Sequence, residues 1–552
     1  MKVNEILKSL EHKSLKEAND YLFSISGVNN FLTPGFCADY DEDDEYSLEK
    51  KEEFGDWQTS KDLALSICRF IKDSGFNPDV IIEPTCGKGS FIHAALDTFE
   101  SIQTIYGIEI YEPYLNSLKR DLLERGLEQG GIKTTIFLEN ESVFNYDFSR
   151  ISQLHKDKKI LIIGNPPWVT NSKLSSINSE NLPEKTNFKQ TKGLEAITGK
   201  GNFDIAEYIS IMLLRTFSAN VGQFAFLVKN IVPKNIVHDQ SKAKLAISNI
   251  CQWNIDASKE FNVSASASLF TCNFGGPYAN SCSVFDFYTK HPIHEYGWVN
   301  QNFVSNIQEY QQSQVYDGVC PFEWWSGVKH DCSKVMELKK NSDGEFYNAL
   351  GEKVDIESDL IFPLLKSSDI GDECITSTKR YIIITQHSAS EKTDYIQTKY
   401  PKAYAYLNSH AKELDGRKSV IYKKRPRFSI FGIGPYSFAP YKIAISGLYK
   451  HTRFSLVPQI ENKPVILDDT CYLIGFDTEQ QAKITLGLLN LQDAQGLLQA
   501  LMFSDAKRVI NKEILMRINL RALVESCSPD ALDTTQAALN EYKSSMCTAL
   551  LF

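Results

Sequence analysis

The stretch DVIIEPTCGKGSF, residues 79–91, joins a short apolar run to the start of a helical pattern through a turn that contains two glycines. Glycine lets the backbone turn tightly and approach a ligand closely. A dinucleotide fingerprint needs a third glycine, and a P-loop needs a wider glycine spacing. The stretch therefore predicts a loop that binds a small nucleoside cofactor without a pyrophosphate, with a plain strand-to-helix turn as the alternative.

The residues around this loop alternate between strand-like and helix-like patterns. The apolar, strand-like runs are DVII (79–82), TIYGIEI (104–110), KILIIG (159–164) and GQFAFLV (222–228). Helix-like stretches such as Lys61–Ser74 and Tyr114–Arg125 lie between them. The alternation predicts an α/β domain whose parallel sheet is covered by helices on both faces.

The pattern changes after about residue 290, where aromatic residues, Gly and Pro become dense, and helical periodicity returns from Gln480 onward. We expect a mixed α+β domain with a helical tail there. The predicted division is an N-terminal helical and acidic lead at 1–50, a catalytic domain at 51–289 and a C-terminal domain at 290–552.

The composition is that of a globular protein with more than one domain. The chain has 552 residues, of which 42% are hydrophobic and 23% charged, and its formal net charge is −10. No apolar run approaches the ~18 residues of a membrane span, and the N-terminus has no signal-peptide pattern. The twelve cysteines are scattered without a CxxC pair, which disfavours zinc sites and disulfide frameworks. We therefore expect a cytoplasmic protein with reduced thiols, no metal and no membrane partner.

A carboxylate follows the second apolar run. Glu109 lies at the end of TIYGIEI, twenty residues after Gly89. An acid at that point of a nucleotide-binding unit accepts hydrogen bonds from ribose hydroxyls. A surface carboxylate at a strand end is the alternative.

The sequence Asn165-Pro166-Pro167-Trp168 follows the third apolar run. Two prolines fix φ and remove two N–H donors, which leaves carbonyl acceptors beside the Asn165 amide oxygen. Asn165 and the Pro166 carbonyl can accept both hydrogens of an exocyclic amine while Trp168 stacks on a planar ring. The pattern predicts a site that holds an amine nitrogen toward an electrophile, with a structural turn as the alternative.

The motifs EPTCGKGSF, GIEI and GNPPW resemble those of S-adenosylmethionine-dependent amino-methyltransferases. Their order resembles the γ class of DNA adenine-N6 methyltransferases from restriction–modification systems. The resemblance implies a Rossmann-like methyltransferase sheet and S-adenosylmethionine as the cofactor. The cofactor-binding residues that it implies are Thr59, Glu83, Pro84, Thr85, Gly87, Gly89, Glu109 and Ser142.

This chain departs from the family pattern at two places. Ser60 follows Thr59 where the family has Pro, and Ser142 stands where the family's Asp contacts the cofactor adenine. The adenine contact is then either Ser142 or its neighbour Glu141.

The resemblance also implies a catalytic set, which is Asn165, Pro166, Pro167, Trp168 and Phe261. Phe261 lies in KEFNVSA (259–265) and resembles the family's Phe that stacks on a flipped base. Phe261 and Trp168 would then form a sandwich around the base. Ordinary core packing is the alternative for Phe261.

The C-terminal half contains a basic window. Gly416–Ile460 holds nine Lys or Arg residues, no Asp or Glu, and several interleaved aromatics. Cations of this kind neutralise phosphates, and aromatics stack on bases. The predicted DNA-binding residues are Arg417, Lys418, Lys423, Lys424, Arg425 and Arg427, with Trp324–His330 as a second aromatic–basic candidate. Core aromatics with solvated lysines are the alternative for both.

These features predict a site-specific methyltransferase for the N6 amine of an adenine flipped out of duplex DNA. The length beyond the catalytic motifs favours DNA over RNA or a protein glutamine amide as the substrate. The intact motifs disfavour a non-catalytic DNA-binding module. The expected partners are double-stranded DNA and, by the resemblance, a separate cognate restriction endonuclease.

Overall fold

The computed structural model describes residues 3–33, 57–170, 203–423, 425–504 and 508–548. The chain divides into two compact units, Met1–Phe303 and Val304–Phe552. The acidic part of the predicted lead, residues 41–45, lies outside the described residues.

The first unit is built from one large sheet and the helices that pack on it. Its described strands are β1 (Val28–Asn29), β2 (Val80–Glu83), β3 (Thr104–Glu109), β4 (Thr135–Asn140), β5 (Lys159–Gly164), β6 (Val221–Lys229), β7 (Ile247–Ile255), β8 (Ala267–Phe274), β9 (Ser281–Asp286), β10 (Pro292–Val299) and β11 (Asn302–Val304). Its described helices are α1 (Val3–Ser9), α2 (Leu15–Ser26), α3 (Lys61–Asp73), α4 (Ser90–Thr98), α5 (Glu112–Gln129), α6 (Phe148–Leu154), α7 (Ile205–Thr216), α8 (Ile231–Ala243) and α9 (Ala257–Phe261).

The strand order of this sheet is β1-β4-β3-β2-β5-β6-β8-β7-β9-β10-β11. Pairing is parallel from β1 through β6, and β8 then pairs antiparallel with β6. All four residues of β2 are buried. Because successive residues of a strand face opposite sides of the sheet, both faces are covered there. The predicted α/β class with a mostly parallel central sheet is confirmed.

Helix α3 illustrates how the sequence produces one covering layer. Its buried residues recur at helical spacing and form one apolar stripe, which is Leu63, Ala64, Ile67, Cys68 and Ile71. Burying a side chain of this kind contributes roughly 1.5–3 kcal/mol. The Ser60 hydroxyl caps the helix by accepting from the Leu63 N–H at 3.2 Å, which fixes the neighbouring Thr59 at the start of the helix.

The strand order reverses between β2 and β5. From β2 the chain proceeds outward through β3 and β4, whereas from β5 it proceeds in the other direction to β6. The carboxyl ends of these parallel strands lie at one edge, and such a switch point leaves a crevice that binds ligands. The glycine loop follows β2 and the GNPPW segment follows β5, so both motifs meet at this crevice.

The second unit combines a sheet of four strands, in the order β12-β21-β18-β19, with one of six strands, in the order β15-β14-β13-β17-β16-β20. The strands are β12 (Trp325–Ser326), β13 (Glu337–Lys340), β14 (Phe346–Asn348), β15 (Lys353–Val354), β16 (Ile361–Leu365), β17 (Arg380–Ile383), β18 (Tyr441–Ser446), β19 (Ser455–Val457), β20 (Ile466–Leu467) and β21 (Cys471–Phe476). The helices are α10 (Ile307–Ser313), α11 (Ser333–Met336), α12 (Tyr395–Lys399), α13 (Pro401–Ser409), α14 (Ala411–Asp415), α15 (Glu479–Leu489), α16 (Gln492–Leu501), α17 (Lys512–Leu515), α18 (Leu520–Ser526) and α19 (Gln536–Thr548).

Short 3-10 helices complete the second unit, at Gln314–Tyr316, Ser358–Leu360, Ser367–Asp369, Val420–Tyr422, Pro435–Phe438 and Pro529–Leu532. Across the described ranges of both units, no helix has the length and hydropathy to span a bilayer. The same residues contain no cluster of three or more His, Cys, Asp or Glu side chains that could hold a metal ion.

Candidate active site

The glycine loop is fastened to the neighbouring strand by Glu109. The Gly87 N–H donates to Glu109 Oε2 and the Tyr111 N–H donates to Glu109 Oε1, each at 2.9 Å. Gly87 and Gly89 have φ of +50° and +77°, a region that favours glycine. A Cβ on Gly89 would lie 2.3 Å from a side-chain atom of Leu118. The loop therefore requires glycine for both conformation and space.

The residues between β2 and the glycines contribute buried polar atoms. Glu83 Oε2 and Thr85 Oγ1 are buried, and no described residue gives either atom a hydrogen bond. Burial raises the pKa of Glu83 well above its ordinary value, and the nearby charge of Glu109 raises it further. Pro84, which separates Glu83 from Thr85, is also buried. A cationic or hydroxyl-bearing ligand would satisfy these atoms, which fits the predicted cofactor role.

Asn165 has one engaged and one unpaired amide atom. Its Nδ2 donates to the Trp57 carbonyl at 2.6 Å and to Thr59 Oγ1 at 3.2 Å. A carbonyl can only accept, so this bond fixes which end of the amide is nitrogen. Asn165 Oδ1 is buried and has no hydrogen-bond partner among the described residues. The site therefore presents an unused acceptor at the end of β5.

Thr59 connects this amide to the glycine loop. Its carbonyl accepts from the Ser90 hydroxyl at 2.8 Å, at the first residue of α4. The sequence predicted Thr59 as a cofactor contact; the structure adds that its hydroxyl orients Asn165.

The prolines and Trp168 are held by groups that the sequence analysis did not identify. Lys229 Nζ donates to the Trp168 carbonyl at 2.7 Å and pairs with Asp204 Oδ2 at 3.0 Å. The Trp168 indole N–H donates to the Leu227 carbonyl at 3.1 Å. Pro166 and Pro167 lie in the segment between Asn165 and Trp168. We call Lys229 and Asp204 the clasp; a lysine at the end of an otherwise apolar strand was the available signal.

Trp168 and Phe261 are brought together, but not as a sandwich. Their ring centres are 5.0 Å apart and the rings meet edge to face at 65°. Both side chains are buried in the same hydrophobic cluster. In this conformation the two rings contact each other edge to face, and their stacking on the two faces of a base stays a prediction.

Ser142 and Glu141 follow β4 at the same edge of the sheet. Ser142 is buried, and its hydroxyl accepts from the Phe144 N–H at 3.3 Å. Glu141 is exposed, and its Oε1 accepts from the Ser142 N–H at 2.8 Å. Both residues are near the end of β3, since the Glu141 N–H donates to the Glu109 carbonyl. The geometry leaves both alternatives for the adenine contact open.

Arg417, one of the predicted DNA-binding residues, directs its donors to carbonyls of its own unit. Its guanidinium donates to the carbonyls of Leu414, His330 and Ser429 and lies 3.8 Å from the ring centre of Tyr422. Burial lowers its pKa. The donors of Arg417 therefore serve the interior of the second unit.

The other predicted basic residues differ in exposure and pairing. The Arg427 Nε–H donates to both carboxylate oxygens of Asp415, at 2.9 and 3.0 Å. Lys418, Lys423 and Arg425 are exposed, and Lys424 lies outside the described residues. We call the exposed Lys423 and Arg425 the basic loop.

The second aromatic–basic candidate is divided between core and surface. Trp324 is fully buried, and His330 is buried with its Nε2 3.2 Å from Glu337 Oε1. Trp325, between them in sequence, is exposed. Core packing, the alternative for this segment, therefore holds for Trp324 and His330.

Comparison with known proteins places the chain in a family, although no family model matches it. It is 42% identical over 484 residues to the type II methyltransferase M.NspV of Nostoc sp., which covers 87% of this chain and 99% of that one. It is 24% identical over 536 residues to the type II methyltransferase M.BanIII of Aneurinibacillus aneurinilyticus, covering 82% and 86%.

Among solved structures, the type IIL restriction–modification enzyme MmeI in complex with DNA matches with a TM-score of 0.52 and 13% identity, over 100% of this chain and 75% of that one. At this identity the match shows a shared fold. The identity to M.NspV over nearly its whole length shows the family. The chain belongs to the type II methyltransferases, the DNA methyltransferases of restriction–modification systems.

Proposed function

We propose that this chain is a γ-class enzyme that transfers a methyl group from S-adenosylmethionine to the N6 amine of an adenine in duplex DNA. The observation that carries the proposal is the unpaired Asn165 Oδ1, buried while its own Nδ2 is engaged. An unpaired buried acceptor costs about 1–3 kcal/mol. A substrate amine that donates to it recovers this cost, which makes the atom a recognition point for an N–H group.

The chain's own residues then position the amine. Asn165 Oδ1 accepts one amine hydrogen, and the Pro166 carbonyl accepts the other. Two acceptors outside the plane of the base take the nitrogen lone pair out of conjugation with the ring. The lone pair then points in a fixed direction. Catalysis by this geometry rests on orientation and on stabilising the developing positive charge at nitrogen.

S-adenosylmethionine supplies an electrophilic methyl group when it is bound. The residues at the switch point fit such a molecule: the Glu109 carboxylate lies at the glycine loop and is the proposed acceptor for ribose hydroxyls, and Glu83 and Thr85 offer buried atoms that lack partners among the described residues. Gly87 and Gly89 have no side chains, so a ligand can approach the backbone of the loop closely. Thr59 and Ser142, at neighbouring segments of the same edge, complete the proposed binding set.

The target base has to leave the duplex, because N6 is unreachable inside it. In the present conformation Trp168 and Phe261 contact each other. We propose that these rings separate when the base enters and then stack on its two faces. A separate cognate restriction endonuclease, as in other restriction–modification systems, is the proposed biological partner.

The test is methyl transfer from labelled S-adenosylmethionine to mixed unmethylated duplex DNA, followed by nucleoside analysis. We expect N6-methyladenine. N4-methylcytosine would correct the base and retain the amine chemistry. No label in DNA, with cofactor binding intact, would reject a DNA substrate and favour RNA or a protein amide. Asn165→Ala is the control for background label.

A further inference from the structure

The second unit contains a surface pocket that is separate from the methyl-transfer site. It is formed by residues 322–325, the turn 435–440 and the end of β21, and its volume is about 420 Å³. Four aromatic side chains and two carboxylates contribute to its wall, namely Phe322, Trp325, Tyr436, Phe438, Glu323 and Asp477. This combination of flat apolar surface and acceptors defines the chemistry that the pocket can bind.

The aromatic wall includes a stacked pair of rings, one of which is partly exposed. The Trp325 indole lies parallel to the Tyr436 ring, with ring centres 4.4 Å apart and an angle of 4°. Tyr436 covers one face of the indole, and Lys512 Nζ lies over the ring at 4.9 Å from its centre. Trp325 is 37% exposed, so a base that stacks on it takes the place of the Lys512 side chain. Exposed aromatic faces are the usual stacking surface for unpaired bases.

The backbone holds Trp325 in this position. Trp325 pairs with Leu473 of β21, and a Cβ on the nearby Gly327 would lie 2.2 Å from the Asp468 carbonyl oxygen. Adjacent strand residues face opposite sides, and Trp324 accordingly lies fully buried in the core. The core tryptophan therefore anchors the exposed one.

The carboxylates indicate what the pocket selects. Glu323 is ion-paired with Lys512, whose Nζ also lies 4.9 Å from the centre of the Trp325 ring. Asp477 is exposed at the rim. Carboxylates repel phosphate, but they accept hydrogen bonds from the exocyclic amines of cytosine and adenine. The wall thus suits an uncharged planar ring that carries an amine.

The basic loop belongs to the same unit as the pocket and contacts a segment close to it in sequence. The Arg425 guanidinium lies 5.9 Å from the Phe431 ring centre. Phe431 exchanges backbone hydrogen bonds of 2.9 and 2.8 Å with Lys329, four residues beyond Trp325. The basic loop is therefore linked to the strand segment that carries the pocket.

We infer that this pocket binds a single unstacked nucleobase with an exocyclic amine, which is adenine, cytosine or guanine but not thymine, while the basic loop contacts flanking phosphates. The inference rests on the proposed DNA substrate, and it assigns the pocket a base-binding role separate from that of Asn165. A base held here would be read by stacking on Trp325 and by its amine on Asp477.

The test uses the full-length chain and single-stranded dA, dC and dT oligonucleotides of about ten nucleotides, a length typical of such sites. Thymine lacks an exocyclic amine and is the internal reference. We expect dA and dC to bind more tightly than dT. Trp325→Ala is expected to weaken dA and dC binding at least about fivefold, whereas Trp325→Phe keeps most of the affinity. Asp477→Asn is expected to reduce the preference over dT.

Tyr278→Ala is the matched control, because Tyr278 is an aromatic residue of the first unit that is 45% exposed. Equal binding of all three oligonucleotides by the wild type, or wild-type binding by Trp325→Ala, would overturn the inference. Methylation of duplex DNA by the wild type is measured in parallel. If methylation fails while binding still depends on Trp325, the proposed function is rejected and the pocket is supported.

Discussion

At the residue scale, the decisive feature is that the nitrogen and the oxygen of the Asn165 side-chain amide have different roles. Asn165 uses its nitrogen to fix its own orientation and keeps its oxygen for a ligand. Alanine removes the acceptor and leaves the glycine loop untouched. We expect Asn165→Ala to abolish methyl transfer while S-adenosylmethionine still binds, as measured by label transfer and calorimetry. Near-normal turnover in this variant would refute the proposed role of Asn165.

The orienting bond to Thr59 predicts a smaller effect. Thr59→Val removes the hydroxyl acceptor at nearly constant volume, and a neutral hydrogen bond is worth about 0.5–1.5 kcal/mol. We expect kcat to fall between about twofold and tenfold. Ser90→Ala is the control. It removes the hydrogen bond to the Thr59 carbonyl and leaves the hydrogen bond from Asn165 Nδ2 to the Thr59 hydroxyl intact. Equal losses in the two variants would argue against an orienting role.

The buried Glu83 predicts a pH-dependent gain in stability when it is replaced. Because burial raises its pKa above the ordinary 4.5, the folded protein binds a proton more tightly than the unfolded chain does. The free energy of unfolding therefore falls as pH rises above 4.5 toward the folded-state pKa. Glu83→Gln lacks this titration. We expect its melting temperature to exceed that of the wild type increasingly as the pH rises above 4.5, and its affinity for S-adenosylmethionine to fall. A difference that is constant with pH would contradict the assignment.

At the element scale, the clasp joins the end of β6 to the loop after β5. Lys229 contacts the Trp168 carbonyl, and Asp204 caps α7 by accepting from the Ala206 N–H at 3.0 Å. Loss of the ion pair between Lys229 and Asp204 would release the segment that carries the Pro166 carbonyl. We expect Lys229→Met to lower kcat at least about tenfold with unchanged cofactor affinity, and Lys229→Arg to restore part of it.

The effects of the two clasp residues are expected to be non-additive, since both serve one contact. The double variant Lys229→Met with Asp204→Asn should lower kcat little more than either change alone. Lys242→Met, at the exposed end of α8, controls for the loss of a positive charge. A fully additive double variant would show that the two side chains act independently.

The parts that the sequence predicted are those whose signal is local. The apolar runs predicted β2, β3, β5 and β6, and the motifs predicted a cofactor loop after β2 and an amine-holding site after β5. The clasp escaped prediction because Lys229 and Asp204 meet across the sheet from separate elements. The edge-to-face contact of Trp168 and Phe261 could not be predicted from the sequence, because ring spacing depends on core packing around both residues. Because successive residues of a strand face opposite sides, the sequence could have predicted that only one of Trp324 and Trp325 is buried.

At the scale of the whole molecule, a cluster of positive charges in sequence is not one surface in the fold. Lys442 belongs to the same basic window but is buried, and its Nζ donates to the Ala439 carbonyl at 2.6 Å. Burial lowers its pKa to about 7. Arg417 is likewise occupied by carbonyls. The surface available to DNA phosphates is therefore smaller than the count of basic residues suggests.

This distinction predicts opposite phenotypes for neighbouring basic residues. Lys423→Gln with Arg425→Gln removes exposed cations, so the slope of log affinity against log salt for duplex DNA should become shallower by up to about 2, roughly 0.9 per phosphate contact. Stability should stay within about 0.5 kcal/mol.

Arg417→Ala instead leaves interior carbonyls unpaired and should lower the free energy of unfolding by about 1–3 kcal/mol, with an unchanged slope below its melting temperature. Lys339→Gln, exposed in the same unit, is the control. An unchanged slope in the double variant would place the DNA surface elsewhere, and a changed slope in Arg417→Ala would return that residue to it.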